Sequence, residues 1–306
     1  MYGNNDHVCA VIVTYFPDRK FEQRLEKISR QVKHVLVIDN GTTGSASLHH
    51  GLYVKDYPDV KLIKNSTNLG VAQALNQGVR KAAEHGYQWV ALFDQDSLPG
   101  PDMIRKMLNL WNEYPEPDRL MIVGSNTVYR NCSSINDVSK NQKPWEEVSH
   151  VITSGSLICM KAFDMAGYFN KDLFIDYVDI EFCLRLRSKG YSTLLARDAV
   201  LHHNMGNIEE HNIFKRRVHP THHNPVRRYY QFRNSFLLNK LYKKEFRSWH
   251  RVNSIVLLKI ICLILLFEKN RPEKMFQIVK GTLHGLSGRA GKKGEKSFAS
   301  IDRKRK

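Results

Sequence analysis

Apolar runs and helical patterns alternate over the first 130 residues. Residues 8–15 form a short apolar run that is typical of a buried strand, and Phe21, Leu25, Ile28 and Val32 recur at the spacing of one helix face. The pattern continues with predicted strands at residues 35–38, 60–63 and 89–93 and a predicted helix at residues 71–85. This alternation predicts an α/β fold in which helices flank a mainly parallel central sheet.

The later part of the chain contains fewer regular patterns. We expect a helix at residues 103–113, strands at residues 121–128 and 151–160, and an amphipathic helix within residues 174–190. Residues 130–149 form a long polar stretch, which is typical of a functional or mobile loop. The run from Thr153 to Ser156 fits either a plain turn or a place where a ligand approaches the backbone closely.

Polar side chains follow three of the predicted strands. Thr14 and Tyr15 end the first strand, Asp39 follows the second, and Asp94 and Asp96 follow the fourth. Because ligands bind at the carboxyl ends of parallel strands, we expect these three groups to lie close together. Two carboxylates two residues apart suit Mg²⁺ or Mn²⁺, whose other ligands usually come from phosphates and water. Turn formation and helix capping are the alternative explanation of the same acids.

The composition is that of a folded protein, because 42% of the 306 residues are hydrophobic and 25% are charged. The five cysteines lack the close pairs of a zinc module or a redox motif, which predicts a reducing, cytoplasmic environment. The N-terminal residues lack the pattern of a signal peptide, so we expect no export.

Positive charge is concentrated near the C-terminus. The net charge is +17, and residues 240–306 contain 18 Lys or Arg against 5 Asp or Glu. The apolar run at residues 255–267 would form about 20 Å of helix, which is too short to cross a bilayer. With its basic flanks, this helix fits either an anionic membrane surface or a subunit interface. Residues 281–306 are rich in Gly, Ser and Lys, which predicts disorder.

Three acids, Asp176, Asp179 and Glu181, lie at the start of the predicted helix within residues 174–190. The helix dipole favours a carboxylate near this end, and helix capping explains one acid better than it explains three. The next apolar stretch ends at the histidine pair 202–203.

Seven motifs follow one another across about residues 8–240. They are AVIVTY at 10–15, VIDNG at 37–41, NLGVAQALNQG at 68–78, FDQDS at 93–97, TSGSLI at 153–158, FIDYVDIEFCLRLRSKG at 174–190 and HNMG at 203–206. In this combination the chain resembles inverting glycosyltransferases of family 2, and within them bacterial rhamnosyltransferases that use dTDP-rhamnose. The resemblance implies a GT-A fold, with a catalytic domain at residues 1–240. The charge and apolar pattern that follow predict a C-terminal helical region at 241–280, which associates with a membrane or forms oligomers, and a basic tail at 281–306.

The resemblance also implies a nucleotide-sugar site in the first half of the chain. The base and ribose pocket would be lined by Thr14, Tyr15 and Asp39, and its edge and the diphosphate approach by Asn68, Gly70 and Asn76. A carboxylate such as Asp39 can accept a hydrogen bond from a ribose hydroxyl or a ring N–H. The motif that binds the metal and the sugar contains Asp94 and Gln95.

A divalent metal, Mg²⁺ or Mn²⁺, is implied by the same resemblance. Its ligands would be Asp94, Asp96 and His203, with Asp96 as the more direct ligand. An imidazole nitrogen suits this role, while an ordinary core or surface histidine is the alternative at His203.

Asp179 matches the general base of the family, which takes the proton of the acceptor hydroxyl as that oxygen attacks the anomeric carbon. In the family the residue before the base is often acidic, but here it is Val178. The nearby Asp176 is therefore the alternative base.

The segment RRYYQFRN at residues 227–234 combines cations and aromatic rings, and similar segments occur in the rhamnosyltransferase-like members. Arg228, Tyr230 and Arg233 could clamp the diphosphate or the acceptor, because guanidinium groups bind phosphate oxygens in pairs. A solvated helix face is the alternative.

Together with these patterns, the resemblance implies a metal-dependent, inverting sugar transferase. The expected partners are a nucleotide-sugar donor, a lipid-linked or glycan acceptor and an anionic membrane surface, with a homo-oligomer as a further option and no nucleic acid. The expected location is the cytoplasm, peripherally at the inner face of the bacterial membrane. The alternatives are the same mechanism with another donor sugar, a basic nucleic-acid-binding protein, and a subunit that binds sugar nucleotides without catalysis.

Overall fold

The computed structural model describes residues 5–44, 57–129, 143–203, 211–213, 216–294 and 297–298. The chain forms two compact units, one of residues 1–169 and 182–204 and the other of residues 170–181 and 205–306. The strands up to residue 203 are β1 Val8–Thr14, β2 His34–Asp39, β3 Val60–Lys64, β4 Trp89–Asp94, β5 Leu98–Pro99, β6 Leu120–Tyr129, β7 Trp145–Glu147, β8 Ser156–Cys159 and β9 Ser192–His203. The helices over the same range are α1 Phe21–Ser29, α2 Val71–Glu84, α3 Met103–Glu113, α4 Lys161–Ala166 and α5 Val178–Arg187, with 3-10 turns at Asn5–His7, Pro117–Arg119 and Lys171–Leu173.

One mixed sheet of nine strands forms the centre of the first unit, in the order β3-β2-β1-β4-β8-β6-β9-β5, with β7 also paired to β9. The first four strands of this order are parallel, and β6 is parallel to β9. β8 runs antiparallel between β4 and β6, and β5 and β7 run antiparallel to β9. The predicted α/β fold with a largely parallel sheet flanked by helices is therefore confirmed.

Alternate residues of β1 contact opposite layers of helices. Val8, Ala10 and Ile12 belong to one buried cluster with the apolar faces of α1 and α3. On the other face, α2 approaches Val11 so closely that a Cβ at Gly78 would lie 2.3 Å from a Val11 methyl group. The close approach of α2 to the strand therefore requires glycine at this position.

The second unit is mainly helical. Its elements are β10 His211–Ile213, β11 Arg216–Val218, α6 Pro225–Tyr242, α7 Arg247–Phe267, α8 Arg271–Leu286, β12 Arg289–Ala290 and β13 Ser297–Phe298. Phe232, Leu257, Ile264 and Ile278 join the three helices in one apolar cluster. α8 lies directly against the backbone of α6, because a Cβ at Gly281 would lie 2.4 Å from the carbonyl oxygen of Tyr229.

Three expectations for the C-terminal part differ from the structure. α7 begins at Arg247, well before the apolar run, and its 21 residues would span about 32 Å. It is the one helix among the described residues that is long and apolar enough to cross a membrane, by length and composition alone. Residues 281–286 are helical and 289–290 form a strand, which differs from the expected pattern, although a disordered basic tail stays a prediction. The predicted boundary at residue 240 falls inside α6, although the expectation of separate domains stays a prediction.

Candidate active site

The polar ends of three parallel strands lie side by side in the first unit. Thr14, the last residue of β1, pairs in register with Asp39, the last residue of β2. On the other side of β1, Val13 pairs with Asp94, the last residue of β4. The parallel pairing therefore brings together the three polar groups that the spacing along the chain predicts to converge.

Hydrogen bonds connect the loops that follow these strands. The backbone N–H of Tyr15 donates to Oε1 of Gln95 over 2.7 Å, and the N–H of Phe16 donates to Oγ1 of Thr42 over 3.0 Å. Thr42 in turn donates its N–H to Oδ1 of Asp39 over 2.9 Å. Asp39 is buried, whereas 47% of the surface of Tyr15 is exposed. The loops thus place an accessible aromatic residue and a buried carboxylate at neighbouring strand ends.

Asn68 and Gly70 lie in the loop that enters α2. Oδ1 of Asn68 accepts from the Asn40 side chain over 3.1 Å and from the N–H of Gly70 over 2.9 Å. Gly70 has a φ of 86°, a conformation that residues with a Cβ seldom adopt. Leu69 N–H donates to Oδ1 of Asn40 over 3.0 Å, so this loop is fixed to the end of β2.

Asn76 is held by hydrogen bonds inside the first unit. Its side chain is buried and forms two hydrogen bonds with the backbone of Phe169, one to the carbonyl oxygen over 2.8 Å and one from the N–H over 2.9 Å. Both ends of the amide thus bind a distant part of the same unit, and the predicted place of Asn76 at the diphosphate approach stays a prediction.

Asp94, Asp96 and His203 form a cluster whose ligand atoms all lie within 4.8 Å of one another. Nδ1 of His203 lies 3.5 Å from Oδ1 of Asp96. The short strand β5 creates this proximity, because Leu98 pairs with His202 across the antiparallel ladder. Two carboxylates and one imidazole match the donor set of Mn²⁺, and the carboxylates alone suit Mg²⁺. The residues present therefore fit a divalent cation.

Two buried serines support the cluster. Ser97 Oγ lies 3.3 Å from Nδ1 of His203 and forms a short hydrogen bond with Ser154 Oγ. Ser154 Oγ also accepts from the backbone N–H of Asp94 over 3.2 Å. Residues that orient metal ligands in this way commonly tune metal affinity. The sequence analysis does not predict that Ser97 and Ser154 support the metal ligands. Their position inside the FDQDS and TSGSLI motifs is the feature that could have indicated it.

In the second unit, a strained loop leads into α5. Phe174, Asp176 and Tyr177 have φ values of 63°, 62° and 65°. Ile175 N–H donates to the carbonyl oxygen of Leu173 over 2.8 Å, which closes a γ-turn around Phe174. Each such backbone conformation costs on the order of 1–3 kcal/mol and is common at functional sites.

The three acids near the start of α5 have different surroundings. Asp176 receives hydrogen bonds from Arg227 on both carboxylate oxygens, over 3.0–3.2 Å. The buried Glu181 accepts from the Tyr242 hydroxyl over 2.9 Å. Asp179 is half-buried in the first turn, and its Oδ1 accepts from the N–H of Ile180 over 2.8 Å. Asp176 and Glu181 thus have structural partners, and the choice of Asp179 over Asp176 as the base stays a prediction.

Arg228 lies in a buried ionic group. It donates over 2.6 Å to Glu268, which also accepts from Lys274 over 2.7 Å, and all three side chains are less than 10% exposed. Further donations reach Thr221 and Gln231, each over 2.9 Å. Burial lowers the pKa of Arg228, whereas Glu268 opposes this shift. These contacts hold Arg228 inside the second unit, and its predicted phosphate contact stays a prediction.

Arg233 and Tyr230 are also engaged within the second unit. All three guanidinium nitrogens of Arg233 donate to protein oxygens, among them the carbonyl oxygens of Asp172 and Leu173 and the side chain of Asn234. Tyr230 stacks on Phe174 with ring centroids 5.0 Å apart. Its hydroxyl accepts from the N–H of Lys293 over 2.7 Å. Both residues thus bind other parts of the second unit, and the predicted clamp on the diphosphate or the acceptor stays a prediction.

The model of the family described as Glycosyl transferase family 2 matches residues 9–166 of this chain, which is more than half of its length. The chain belongs to glycosyl transferase family 2. The dTDP-rhamnosyl transferase RfbF of Shigella flexneri is 31% identical over 303 residues, which cover 94% of this glycosyltransferase and 98% of RfbF. The N-acetylglucosaminyl-diphospho-decaprenol L-rhamnosyltransferase of Mycobacterium tuberculosis is 24% identical over 237 residues, or 65% of this chain and 76% of that protein.

A solved structure supports the fold of the glycosyltransferase. The mannosyltransferase PcManGT of Pyrobaculum calidifontis, in complex with GDP-Man and Mn²⁺, superposes with a TM-score of 0.57 at 15% identity and covers 91% of this chain and 80% of that chain. The predicted GT-A architecture is confirmed. In the glycosyltransferase, the aspartates and histidine of the first unit thus form a candidate metal site at the carboxyl ends of the sheet.

Proposed function

We propose that this glycosyltransferase moves L-rhamnose from dTDP-L-rhamnose onto a lipid-linked or saccharide acceptor in bacterial cell-surface polysaccharide synthesis, with inversion at the anomeric carbon. The observation that carries the proposal is the similarity to a dTDP-rhamnosyl transferase over nearly the full length of both chains. The second rhamnosyltransferase relative supports the same donor sugar and suggests a diphosphate-linked lipid as acceptor.

Asp94, Asp96 and His203 would hold Mg²⁺ or Mn²⁺ in this proposal. When bound, the ion neutralises negative charge that develops on the departing nucleoside diphosphate. Tyr15 and Asp39 would contact the thymine and ribose from neighbouring strand ends, and Gln95 fixes the loop that carries Tyr15. These residues position the donor and leave the proton transfer to another group.

Asp179 would be the general base: its carboxylate accepts the proton of the acceptor hydroxyl as this oxygen attacks the anomeric carbon of the sugar. Asp179→Asn keeps the shape of the side chain and removes its basicity. We expect kcat to fall by about 10²–10⁴-fold, while the affinity for dTDP stays close to that of the unchanged protein. Unchanged turnover in Asp179→Asn would contradict the assignment.

The donor is tested with the purified protein, Mn²⁺ and a membrane extract that contains lipid-linked acceptors. We expect release of nucleoside diphosphate with dTDP-L-rhamnose and much less with UDP-glucose or GDP-mannose, and an inverted anomeric configuration of the product by NMR. Faster turnover with another donor would replace L-rhamnose as the proposed donor sugar and leave the proposed mechanism unchanged. Tight binding to DNA in moderate salt, without sugar transfer, would favour the nucleic-acid alternative.

We also propose that the protein acts peripherally at the cytoplasmic face of the membrane through an apolar face of the second unit. α7 exposes six large apolar side chains and contains no Asp or Glu, while Arg251 and Lys259 are exposed among them. On α8, one stripe at helical spacing is 54–63% exposed and consists of Phe276, Val279, Leu283 and Leu286. Cations among exposed apolar side chains suit an anionic lipid surface better than a dry subunit interface.

Vesicle flotation tests this face. We expect the protein to float with vesicles that contain phosphatidylglycerol and to remain in solution with neutral vesicles, and we expect Ile255→Ser with Leu283→Ser to lose flotation. Met165→Ser removes an exposed apolar side chain of the first unit and serves as the matched control. Equal flotation of the double variant would contradict the proposal, and a concentration-dependent dimer that the same substitutions abolish would replace it by a subunit interface.

A further inference from the structure

The loop of residues 172–177 occupies a conformation that its own residues disfavour. Phe174 and Tyr177 have large side chains, yet both adopt positive φ angles of 63° and 65°. Such a backbone persists only where surrounding contacts determine it. Tyr177 directly precedes α5, so the path of this loop sets where the first turn of the helix, including Asp179, begins.

Asn234 provides the densest set of these contacts. Its side chain is fully buried on α6, and its Nδ2 lies 2.9 Å from the carbonyl oxygen of Leu173, 2.8 Å from that of Ile175 and 2.9 Å from that of Asp176. One amide group therefore faces three carbonyl oxygens of the loop. A side chain without N–H donors would remove this hydrogen-bond partner from the three oxygens. The loss of a buried hydrogen bond destabilises the folded protein.

Neighbouring residues complete the hold on the loop. Oδ1 of Asn234 accepts from Nε and Nη2 of Arg233 over 2.9 and 2.7 Å, which fixes the orientation of the amide. The Tyr177 hydroxyl donates to Oδ1 of Asn253 over 2.7 Å, and Asn253 donates to Oγ of Ser235 over 2.7 Å. Burial raises the pKa of Tyr177 to about 12, so the phenol stays protonated as a donor.

We infer that Asn234 is a positioning residue for catalysis, which holds the loop of residues 172–177 and thereby places Asp179 for proton transfer. This inference rests on the proposed role of Asp179 as the base. It gives the RRYYQFRN segment a function different from phosphate binding: one face of α6 fixes the backbone that carries the base. A misplacement of a reacting group by about 1 Å costs on the order of 10²-fold in rate.

Asn234→Asp tests the inference because it keeps the shape and the oxygen that accepts from Arg233 but replaces the amide donors with a second oxygen. We expect kcat to fall about 10²-fold, with an unchanged KM for the donor and unchanged dTDP affinity by calorimetry. Asn239→Asp makes the same change on the same helix, where the side chain contacts His250 over 2.7 Å, and serves as the control. Normal kcat in Asn234→Asp, or an equal fall of kcat in the control, would overturn the inference.

Tyr177→Phe is the second variant, which keeps the ring and removes one hydrogen bond to the loop. We expect kcat to fall about fivefold with the donor KM unchanged, since a single hydrogen bond of this kind contributes about 1 kcal/mol. If circular dichroism shows that Asn234→Asp does not fold, Tyr177→Phe decides the question, and an unchanged kcat in it would overturn the inference.

A double variant separates failure of this inference from failure of the proposed function. If Asn234 acts through Asp179, Asn234→Asp will lower the residual rate of Asp179→Asn by less than twofold, because coupled effects do not add. Full additivity would overturn the inference. Full activity of Asp179→Asn alone would instead refute the proposed base, whatever the Asn234 variant does.

Discussion

The two units of this glycosyltransferase use charged side chains in opposite ways. In the first unit, Asp94, Asp96 and His203 are half-buried at strand ends and gather around a point that suits a cation. In the second unit, Arg228, Glu268 and Lys274 are buried and satisfy one another. The difference teaches that carboxylates and an imidazole grouped at strand ends suit a cation, whereas opposite charges buried together stabilise the fold.

The largest expected effect comes from Asp96→Asn in the first unit. Loss of one carboxylate from the cluster removes charge that holds the cation, so we expect kcat/KM to fall about 10³-fold, equivalent to several kcal/mol. Nucleoside diphosphate release at increasing Mn²⁺ measures the change. Asp102→Asn alters an exposed aspartate that pairs with Arg105 and should keep normal activity. Normal Mn²⁺ dependence in Asp96→Asn would remove Asp96 from the site.

In the second unit, Glu268→Gln should act on stability. The change leaves the buried cations Arg228 and Lys274 without their carboxylate, and we expect the free energy of unfolding to drop by about 3–5 kcal/mol. Urea denaturation measures it, with the exposed Glu273→Gln on α8 as control. A loss below about 1 kcal/mol would show that the ionic group contributes little and would weaken the contrast between the units.

Ser154→Ala sharpens the description of the first unit. The hydroxyl accepts from the N–H of Asp94 and bonds to Ser97, so its loss should loosen two ligands of the cluster. We expect Mn²⁺ affinity to fall about 10–100-fold by isothermal titration calorimetry with dTDP present. Ser156→Ala lies in the same turn, where the hydroxyl donates to Thr153, and should bind Mn²⁺ normally. Equal affinities in both variants would speak against a supporting role.

The smallest predicted effect is a pH dependence in the second unit. Burial, followed by the charges of Arg227, Arg228 and Lys274, lowers the pKa of His223 to about 3. The unfolded chain, with a histidine pKa near 6.5, binds the proton first, so stability falls as pH decreases from about 6.5 towards 3. We expect a slope of at most about 1.4 kcal/mol per pH unit from this group. His223→Gln should flatten that slope in urea denaturation at pH 7, 6 and 5, and an identical slope would exclude His223 as its source.

The elements that position the site could largely be predicted from the sequence. α3 has the predicted bounds, and α2 ends one residue before the predicted end. Both helices could be predicted because their apolar residues recur at helical spacing. β9 was not predicted as a strand, since its pairing with β6 and β5 joins distant segments of the chain. The grouping of the candidate metal ligands could be predicted where they follow strand ends. Asn76, Arg233 and Asn234 bind backbone carbonyl or amide groups far along the chain, and such partners leave no pattern of residue types.

The position of Glu268 has a practical meaning for protein engineering. This residue lies between α7 and α8, at the end of the most apolar helix, yet its carboxylate compensates Arg228 on α6. Truncation before residue 268 to obtain a more soluble protein would remove the carboxylate that pairs with Arg228 and would destabilise the rest of the protein. Polar replacements of exposed side chains such as Val252 and Leu266 are the better route to a tractable sample, because they leave the ionic group complete.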